Sequence, residues 1–448
     1  MLRLYFFLFL IFSLKSFCQV PTVYCTYWTG SQEILGSLNF TTQTVDSIGA
    51  IQGASIFTVA TANGYDPYRN RYYVLSNGGL IAVNASNGQQ VLTNSAISIG
   101  QYKHLSYNSV SDKIYLTKYN GTNEEFFIVS PETFEIESQG ALVFNVFVVG
   151  GYGVNPMANE VLFQGGISGN PNLNISTVNM TSGLITGTFT VPSYISYPLL
   201  PAYDPIDDRY YGVGRIGNAK MALVEFRKSD YKVDTIGVIP GGTALSIVGS
   251  AIDPVTRRYI FVSNLGITSV SLTDPSDIQT IAYPPGVLNV KGFQTNYFAS
   301  PPVVPRPGGG LQSVFKNING WYLNGDLIPG TENLQIFTPT LAGQYHYKVT
   351  RPDGTTTNSN PFIVTASQAL GAVKSIELFP NPAREKFMVY NPDLKAIPYQ
   401  LIDSKGQSIL MGDLNSGKNE ILTSSLPSGI YQFRTIGESP KIRKIVIE

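Results

Sequence analysis

The sequence predicts an all-β protein built from repeats, and three observations lead to this fold class. A turn motif of the form D-P-x-x-x-R-Y-[YI] begins at Asp66, Asp204 and Asp253, and weaker copies begin at Asn108 and Asn155. These anchors are 42, 47, 49 and 49 residues apart, a period typical of stacked or radial repeats. The 43 Gly and 28 Pro residues are spread along the chain, and no segment shows sustained 3.6-residue periodicity. Helical classes are therefore disfavoured.

Each copy of the motif predicts a unit of four antiparallel strands. In the first copy Pro67 presets a turn, and the aromatic and β-branched run 72–75 reads as a strand. Gly-containing turns separate two further strands, and the segment 56–60 supplies a fourth. Four short strands per repeat of about 40–50 residues make the blade of a β-propeller. The pattern resembles WD-type and related surface-protein propellers without their Trp-Asp and Gly-His marks, and this resemblance implies the fold alone.

The number of blades follows from the unmatched strands at the two ends of this region. Segments 22–28, 34–39 and 44–48 predict three strands with no fourth before them, and 287–294 predicts one strand with no blade after it. An open ring would leave unpaired strand edges and exposed apolar faces. We therefore expect 287–294 to complete the first blade, which gives a six-bladed propeller over residues 19–298.

Residues 1–18 are predicted to be a secretory signal. Arg3 begins it, and the apolar run 4–14 is too short to span a bilayer. Cleavage is expected between Cys18 and Gln19; a lipoprotein would acylate Cys18 but needs a small residue before it. The mature chain would keep a single thiol, Cys25, so no internal disulfide is expected. No later segment is long enough for a transmembrane span.

Charge separates a C-terminal module from the rest of the chain. The 30 Lys and Arg residues balance 30 Asp and Glu residues, which leaves no net charge to attract nucleic acid. From Lys374 onward 18 of 75 residues are charged, against 42 of the preceding 373. The Pro- and Gly-rich segment 299–310 is predicted to be a linker after the propeller.

A small module is predicted over residues 311–366. Trp321 lies in a short predicted strand, and the segment 342–347 resembles the tyrosine-corner region of an immunoglobulin-like sandwich, with Tyr345 as the corner. Tyr347 stands where disulfide-bonded members have their second Cys. The resemblance implies a sandwich held by Trp321 and other aromatic side chains instead of a bridge.

The C-terminal segment 372–448 carries a more specific resemblance. Pro380-Asn381-Pro382 opens it, Gly429 and Tyr431 belong to a later Gly-x-Tyr strand, and a Lys-rich strand that includes Lys444 closes it. This order is similar to the type A C-terminal sorting domain of the type IX secretion system. The resemblance implies a secreted or surface protein of the Bacteroidetes type. Its partner would be the type IX exporter, and the domain would be removed during secretion.

Several apparent chemical motifs are better explained by the repeat. The G-x-G-x-x-G at 212–217 should open a helix in a dinucleotide site, but the repeat predicts a hairpin there. Asp207 and Asp208 could be paired acids, yet they occupy the polar turn of the motif. With His104 and His346 as the two histidines, His-based metal sites and serine triads are scarcely available. We predict no cofactor, metal or catalytic residue.

Two classes of function stay open at this point. The first is a binding protein whose propeller recognises an unknown surface or extracellular ligand, a glycan or a protein. The alternative is an exported propeller hydrolase or lyase that acts on polysaccharide, with acids converging at one mouth of the channel. Tyr24, Thr26 and Trp28 share one strand face and could stack on sugars, although packing between blades is the commoner use. The side chains that line the central channel would discriminate between the two classes.

Overall fold

The structure is a computed structural model, and it describes most of the chain beyond the predicted signal. The described residues are 21–54, 62–120, 124–141, 147–148, 153–166, 173–196, 200–217, 220–243, 245–283, 286–287, 289–306, 309–365, 377–391, 396–415, 417–436 and 442–448. The predicted cleavage site at Cys18 and Gln19 and the predicted strand 56–60 lie outside them. All regular elements among the described residues are β-strands, so the predicted all-β class is confirmed.

The first part of the chain contributes thirteen short strands. They are β1 (Val23–Trp28), β2 (Glu33–Asn39), β3 (Thr44–Ala50), β4 (Asn63–Asp66), β5 (Arg71–Ser76), β6 (Gly79–Asn84), β7 (Gln90–Asn94), β8 (His104–Asn108), β9 (Lys113–Tyr119), β10 (Glu124–Val129), β11 (Ile136–Ala141), β12 (Phe147–Val148) and β13 (Gly153–Asn155).

Thirteen more strands follow before residue 296. They are β14 (Glu160–Gly166), β15 (Leu173–Asn179), β16 (Ile185–Phe189), β17 (Ile195–Ser196), β18 (Ala202–Asp204), β19 (Arg209–Ile216), β20 (Lys220–Arg227), β21 (Lys232–Ile239), β22 (Leu245–Asp253), β23 (Arg258–Ser263), β24 (Gly266–Ser271), β25 (Ile278–Ile281) and β26 (Asn289–Thr295).

These strands pair into six antiparallel sheets within the described residues. Five sheets are continuous in sequence, namely β4 to β7, β8 to β11, β12 to β16, β17 to β21 and β22 to β25. The sixth has the order β26-β1-β2-β3, so it combines strands from both ends of the region. Tyr27 lies opposite Val290 and Trp28 opposite Asn289, which is the pairing expected from the unmatched strands.

Buried side chains join each of these sheets to the next. Six clusters of apolar residues each draw on two successive sheets, and one of the six joins the last sheet to the first, with Val262 beside Val23 and Phe293. The inner strands β26, β4, β8, β13, β18 and β22 neighbour one another in a closed cycle. We interpret this ring as a six-bladed propeller, because each blade buries one face on the blade before it and one on the blade after it.

The next segment forms a small two-sheet module. Its strands are β27 (Val303–Pro305), β28 (Leu311–Ser313), β29 (Gly320–Leu323), β30 (Asp326–Leu327), β31 (Ile336–Phe337), β32 (Gly343–Thr350), β33 (Thr356–Asn358) and β34 (Phe362–Val364). One sheet has the order β27-β28-β31, and the other contains β30-β29-β32-β33. Trp321 is fully buried and stacks on Phe337 with 5.7 Å between ring centroids, which places an aromatic pair in the core of the module.

The linker predicted at 299–310 is wrong in part. Strand β27 lies inside it and pairs with β28, with Val303 opposite Ser313. Val303 and Val304 are buried, and β-branched side chains of this kind stabilise a strand. The prolines are compatible with this pairing because β27 ends its sheet, where a missing N–H does not break a ladder.

The described chain divides into two compact units, and the C-terminal sheets belong to the second. The first unit comprises Met1–Pro305, Leu311–Phe337 and Gln344–Phe362. The C-terminal strands are β35 (Glu377–Phe379), β36 (Lys386–Asn391), β37 (Ile397–Ile402), β38 (Ser408–Leu414), β39 (Gly417–Leu422), β40 (Gly429–Thr435) and β41 (Ile442–Ile447). They form sheets β35-β36-β39 and β38-β37-β40-β41 around a core that includes Phe387, Leu401, Phe433 and Ile445. We call residues 377–448 the C-terminal domain.

Candidate functional site

The repeated turns form one rim of the propeller, which we call the anchor rim. Strands β4, β8, β13, β18 and β22 end at its five anchor residues Asp66, Asn108, Asn155, Asp204 and Asp253. In every copy a side-chain oxygen of the anchor accepts a hydrogen bond from a backbone N–H two or three residues later, at 2.8–3.1 Å. Asp and Asn favour turns through this hydrogen bond, so the motif persists where its other residues change.

The fifth residue of each turn has a left-handed backbone. Its φ angle is between 51° and 56° in all five copies, at Asn70, Asp112, Asn159, Asp208 and Arg257. Asn and Asp tolerate this conformation better than most residues, which explains four of the five identities. In three copies a tyrosine just before the anchor donates its hydroxyl to this residue at 2.9 Å, as Tyr65, Tyr107 and Tyr203 do.

Hydrogen bonds along the anchor rim also connect neighbouring blades. Asn108 donates to Asn159 at 2.9 Å, and Asn155 donates to Asp208 at 3.3 Å. At two other junctions an arginine makes the link. Arg257 contacts Asp204, and the guanidinium of Arg69 binds both carboxylate oxygens of Asp112 at 2.7 and 2.9 Å. Polar contacts along the rim therefore connect neighbouring blades at four of the six junctions, from the sheet β4 to β7 through the sheet β22 to β25.

Asp112 shows the electrostatic effect of such a link. Burial by itself raises the pKa of this carboxyl group, but the hydrogen bonds and charge of Arg69 and the hydroxyl of Tyr107 outweigh it. The pKa of Asp112 is therefore lower than usual. The carboxylate form is the one that holds the two blades together.

The sequence missed a sixth copy of the anchor. Asn296 follows β26, lies 43 residues after Asp253, and accepts a backbone hydrogen bond from Phe298 at 3.1 Å. Its side-chain amide donates to the carbonyl of Pro21 at 2.6 Å, and its backbone N–H bonds to Thr22. The usual turn is split here, because β26 and its partner β1 come from opposite ends of the region. A search for an Asn or Asp about 43–49 residues after each anchor would have found it.

The closing sheet contains a buried ion pair. Lys291 on β26 lies 3.4 Å from Glu33 on β2, and both side chains are almost completely buried. Nearby, the hydroxyl of Tyr72 donates to the backbone carbonyl of Gly292 from the next blade. Cys25 is also buried in this sheet, and burial together with the charge of Glu33 raises its pKa, so its thiol is not activated as a nucleophile.

The channel at the centre of the ring contains a cavity of about 110 Å³. Its wall is formed by the inner strands and the anchor rim. The described lining residues include tyrosines, small polar residues and amides, among them Tyr65, Tyr107, Tyr203, Tyr297, Ser106 and Gln294, and they include no Asp, Glu, Lys, Arg or His. The wall also includes apolar side chains, so within the part of the chain that the structure describes the cavity is uncharged. Tyr65, Tyr107 and Tyr203 are buried and donate their hydroxyls to the anchor turns, whereas Ser106, Gln294 and Tyr297 are partly exposed.

The small module docks on the anchor rim through a buried arginine. Arg351 donates to the carbonyl of Pro67 at 2.8 Å and to the hydroxyl of Tyr65 at 3.0 Å. Its guanidinium also lies over the ring of Phe298, 3.7 Å from the centroid. Ser109 adds a hydrogen bond to the carbonyl of Val314 at 2.7 Å. Because Tyr65, Pro67 and Ser109 also line the channel, the module covers part of this mouth.

The suspected acids and glycines of the fifth blade have structural roles. Asp207 accepts from Tyr211 at 2.9 Å and from Arg257 at 2.6 Å, and Asp208 accepts from Tyr203. The segment 212–217 lies in a hairpin as predicted, but the turn comes later than its equivalent in the first copy, because β19 extends to Ile216 and pairs with β20. The repeat misled this placement since β19 is two residues longer than β5.

Other candidate side chains are also occupied by packing. Tyr24 is buried and lies 4.7 Å from Tyr65 between ring centroids, and Thr26 is fully buried, so neither is open to a sugar. His104 is buried, and burial lowers its pKa to about 3, with Lys103 contributing. His346 stacks on Tyr322 at 4.9 Å, and burial lowers its pKa as well. Both histidines are therefore neutral at physiological pH.

The C-terminal domain brings the predicted sorting residues into two places. Asn381 binds β41, because its amide donates to the carbonyl of Lys444 and its side-chain oxygen accepts from the N–H of Val446, both at 2.9 Å. Tyr431 is buried, and its hydroxyl donates to the carbonyl of Pro427 at 2.8 Å. Gly429 begins β40 opposite Ile447. Pro380, Pro382 and the side chain of Lys444 are exposed.

Two features are absent from the described residues. No group of three or more His, Cys, Asp or Glu side chains there is arranged to hold a metal ion. No described helix has the length and apolar character needed to cross a membrane.

Comparison with known proteins assigns the C-terminal domain. Residues 377–448 match the family described as "Secretion system C-terminal sorting domain", within the 372–448 predicted from the sequence. The chain therefore carries a sorting domain of the type IX system and is secreted or attached to the cell surface on its outer side. No curated protein matches the chain.

Solved structures similar to the chain are distant from it. PorZ of Porphyromonas gingivalis, described as an essential surface component of the type IX secretion system, is 11% identical with a TM-score of 0.36, over 95% of this chain and 58% of that one. A putative TolB from Agrobacterium tumefaciens is 13% identical with a TM-score of 0.37, over 58% and 89%. Hydrazine synthase of Kuenenia stuttgartiensis is 11% identical with a TM-score of 0.39, over 53% and 70%. None of these similarities transfers an activity to this chain.

Proposed function

We propose that this protein is an exported binding protein whose propeller recognises a neutral, polar ligand, a glycan or a protein segment, at the central channel. The observation that carries the proposal is the lining of the channel. An uncharged wall with the partly exposed side chains of Ser106, Gln294 and Tyr297 suits recognition of hydroxyl-rich or amide-rich ligands. Hydrolysis of a polysaccharide requires two carboxyl groups on opposite sides of the scissile bond.

Three carboxylates that the structure describes beside the channel are already engaged. Asp66 accepts from Arg69 and Tyr73, Asp112 is held by Arg69 and Tyr107, and Asp208 by Tyr203 and Asn155. Each therefore already serves the turn in which it lies. This arrangement supports binding over the alternative of an exported hydrolase or lyase.

The rigid attachment of the small module suggests which mouth the ligand uses. Arg351 and Ser109 hold the module against the anchor rim, so that mouth is partly covered. We infer that a ligand enters from the opposite mouth, where the inner strands begin. In this proposal the module is a fixed cap, not a flexible spacer.

A binding screen with a channel variant tests the proposal. The mature protein is screened against glycans and extracellular proteins, alongside Ser106→Trp, which fills the channel, and Ser182→Trp at an exposed turn as the control. We expect hits with the wild type and Ser182→Trp that Ser106→Trp abolishes. Binding that survives in a folded Ser106→Trp variant would place the site elsewhere, and release of sugar products would show an enzyme.

Export is tested separately by mass spectrometry of protein from the medium and the cell surface. We expect a mature chain that begins at Gln19 and lacks the C-terminal domain. Intact peptides covering 442–448 on most mature molecules would contradict removal of this domain. A periplasmic reporter fused to residues 372–448 should cross the outer membrane in a host with the type IX exporter.

A further inference from the structure

The last strand of the C-terminal domain pairs with β40 along one edge, and a very short segment of chain covers its other edge. Strand β41 is at one end of the sheet β38-β37-β40-β41, and β40 pairs with one of its edges. Residues 380–383 lie along the other edge. Asn381 bonds to Lys444 and Val446 there, and Ala383 donates to the carbonyl of Val446 at 2.8 Å and accepts from the N–H of Glu448 at 2.8 Å.

The two bonds of Asn381 reproduce those of a neighbouring peptide group. One carboxamide offers a donor and an acceptor, and it meets one carbonyl and one N–H of β41, at residues 444 and 446. Ala383 then continues the contact as a parallel bridge to Ile447. The free edge of β41 is thus covered by the Asn381 side chain and the backbone of Ala383. In a larger sheet a neighbouring strand would cover such an edge.

The flanking prolines suit this geometry. Pro380 and Pro382 lack a backbone N–H, so residues 380–382 cannot pair as an ordinary strand, and the Asn381 side chain supplies the donor instead. Aspartate would keep the acceptor for Val446 but lose the donor for the Lys444 carbonyl. Alanine would lose both. The position therefore requires a carboxamide of this length.

We infer that Asn381 is a positioning residue that holds residues 380–383 against the free edge of β41, and that sorting depends on it through the placement of this strand. The inference rests on the sorting role of the C-terminal domain. Arg443 and Lys444 on β41 are exposed, so a strand held in register presents a fixed pattern of positive charge to the exporter. In this account the exporter recognises β41, and Asn381 contributes by fixing residues 380–383 to the free edge of that strand.

The chain provides a matched control for this residue. Asn419 also makes two side-chain bonds to backbone groups, because it accepts from the N–H of Asn415 at 2.8 Å and donates to the Asn415 carbonyl at 2.7 Å. These bonds lie between β38 and β39 and do not involve β41. Asn419→Ala therefore removes the same chemistry from a different place in the same domain.

The experiment compares the full-length wild type, Asn381→Ala, Asn381→Asp and Asn419→Ala by two measurements. Hydrogen exchange of the Val446 and Glu448 amides, which bond to Asn381 and Ala383, reports whether residues 380–383 still cover the free edge of β41. Export in a host with the type IX machinery reports sorting. We expect Asn381→Ala to accelerate exchange at both amides about ten-fold, the factor that corresponds to losing a hydrogen bond or two, and to reduce the exported fraction. Asn381→Asp should also lower export, with Val446 better protected than in Asn381→Ala.

Each other outcome gives a definite answer. Normal export of Asn381→Ala despite rapid exchange would overturn the dependence of sorting on this residue. Lost export with unchanged exchange would show that the exporter contacts Asn381 directly. If Asn419→Ala has the same effect on export as Asn381→Ala, a general loss of stability is responsible. If the wild type is not exported in a host that exports a known cargo, the sorting role of the C-terminal domain is refuted. The exchange measurement would still test whether Asn381 keeps residues 380–383 on β41.

Discussion

The propeller and the C-terminal domain each connect segments that are far apart in sequence, but they do so with very different amounts of structure. The propeller closes with a whole strand, β26, which pairs with β1 over the residues from Val23 to Trp28 and shares a buried ion pair with β2. The C-terminal domain fastens β41 to residues 380–383 with one carboxamide and one residue of backbone.

The difference predicts how each region tolerates substitution. In the propeller, six shared apolar clusters and polar rim contacts at four junctions join the blades within the described residues, so the loss of one surface contact should be absorbed. The outer edge of β41, by contrast, is covered by few contacts, and one side chain provides half of the four hydrogen bonds to the 380–383 segment. The strongest effects in the propeller should therefore come from its buried, unrepeated features.

The largest effect is expected at the ion pair of the closing sheet. Lys291→Met leaves the carboxylate of Glu33 buried without its lysine, which should lower the free energy of unfolding by about 3–5 kcal/mol. Urea unfolding followed by fluorescence measures it. Lys232→Met, at a side chain that is 63% exposed, is the control and should change little. The double variant Glu33→Gln, Lys291→Met should recover part of the loss; no recovery would mean that the pair itself is not the cause.

A smaller effect is expected where the module meets the anchor rim. Arg351→Ala removes hydrogen bonds to Pro67 and Tyr65 and the contact with Phe298, and should cost about 2–4 kcal/mol. Limited proteolysis should then cut near residues 299–310 faster than in the wild type. Arg215→Ala, at an exposed position, is the control. Equal cleavage of the two variants would show that the module is not held by this arginine.

At the rim itself the expected effect depends on pH. Since the folded-state pKa of Asp112 is lowered, the carboxylate contributes stability above its unfolded pKa near 4, and this contribution is lost as the pH falls through the folded pKa. Asp112→Asn should therefore be less stable than the wild type at pH 7, and the difference should narrow as the pH falls below about 4 and through the folded-state pKa. Thermal unfolding across this range measures the difference. A gap that does not narrow in acid would contradict the role of the charged form.

The smallest effect concerns the thiol of Cys25. Burial raises its pKa, so the thiol stays protonated and shielded at pH 8. Iodoacetamide should leave the native mature protein unlabelled and modify it fully in urea. Rapid labelling under native conditions would mean that the closing sheet opens readily.

Much of the propeller was predictable from residues that recur for a local reason. Asp or Asn is needed to accept the backbone bonds of the turn, so the anchors at 66, 108, 155, 204 and 253 were visible in the sequence. The pairing of 287–294 with 22–28 followed from counting strands. Asn296 escaped because its turn is split between the two ends of the ring, where no motif can be contiguous.

Long-range contacts account for what the sequence did not show. In the sequence Arg351 resembles an ordinary surface residue, because it precedes Pro352 and Asp353. Its contact with Tyr65 arises only from the packing of the module on the rim. The linker prediction was wrong at β27 because the prolines of segment 299–310 indicated a linker, although valines 303 and 304 are buried in a strand. The sorting motif was evident from its order of residues, but the partner of Asn381 on β41 depends on how the sheet is assembled.

A designed disulfide between β1 and β26 tests the closed ring most directly. Trp28 and Asn289 lie opposite each other, so Trp28→Cys with Asn289→Cys in a Cys25→Ala background places two thiols in bridging range. Trp28→Cys with Thr295→Cys is the control, because Thr295 pairs with Val23, about 16 Å away along the strand. Non-reducing digestion of the folded, oxidised protein should give the linked peptide for the first pair alone, with a raised unfolding temperature. No link, or equal linking of both pairs, would show that β26 does not close the first blade.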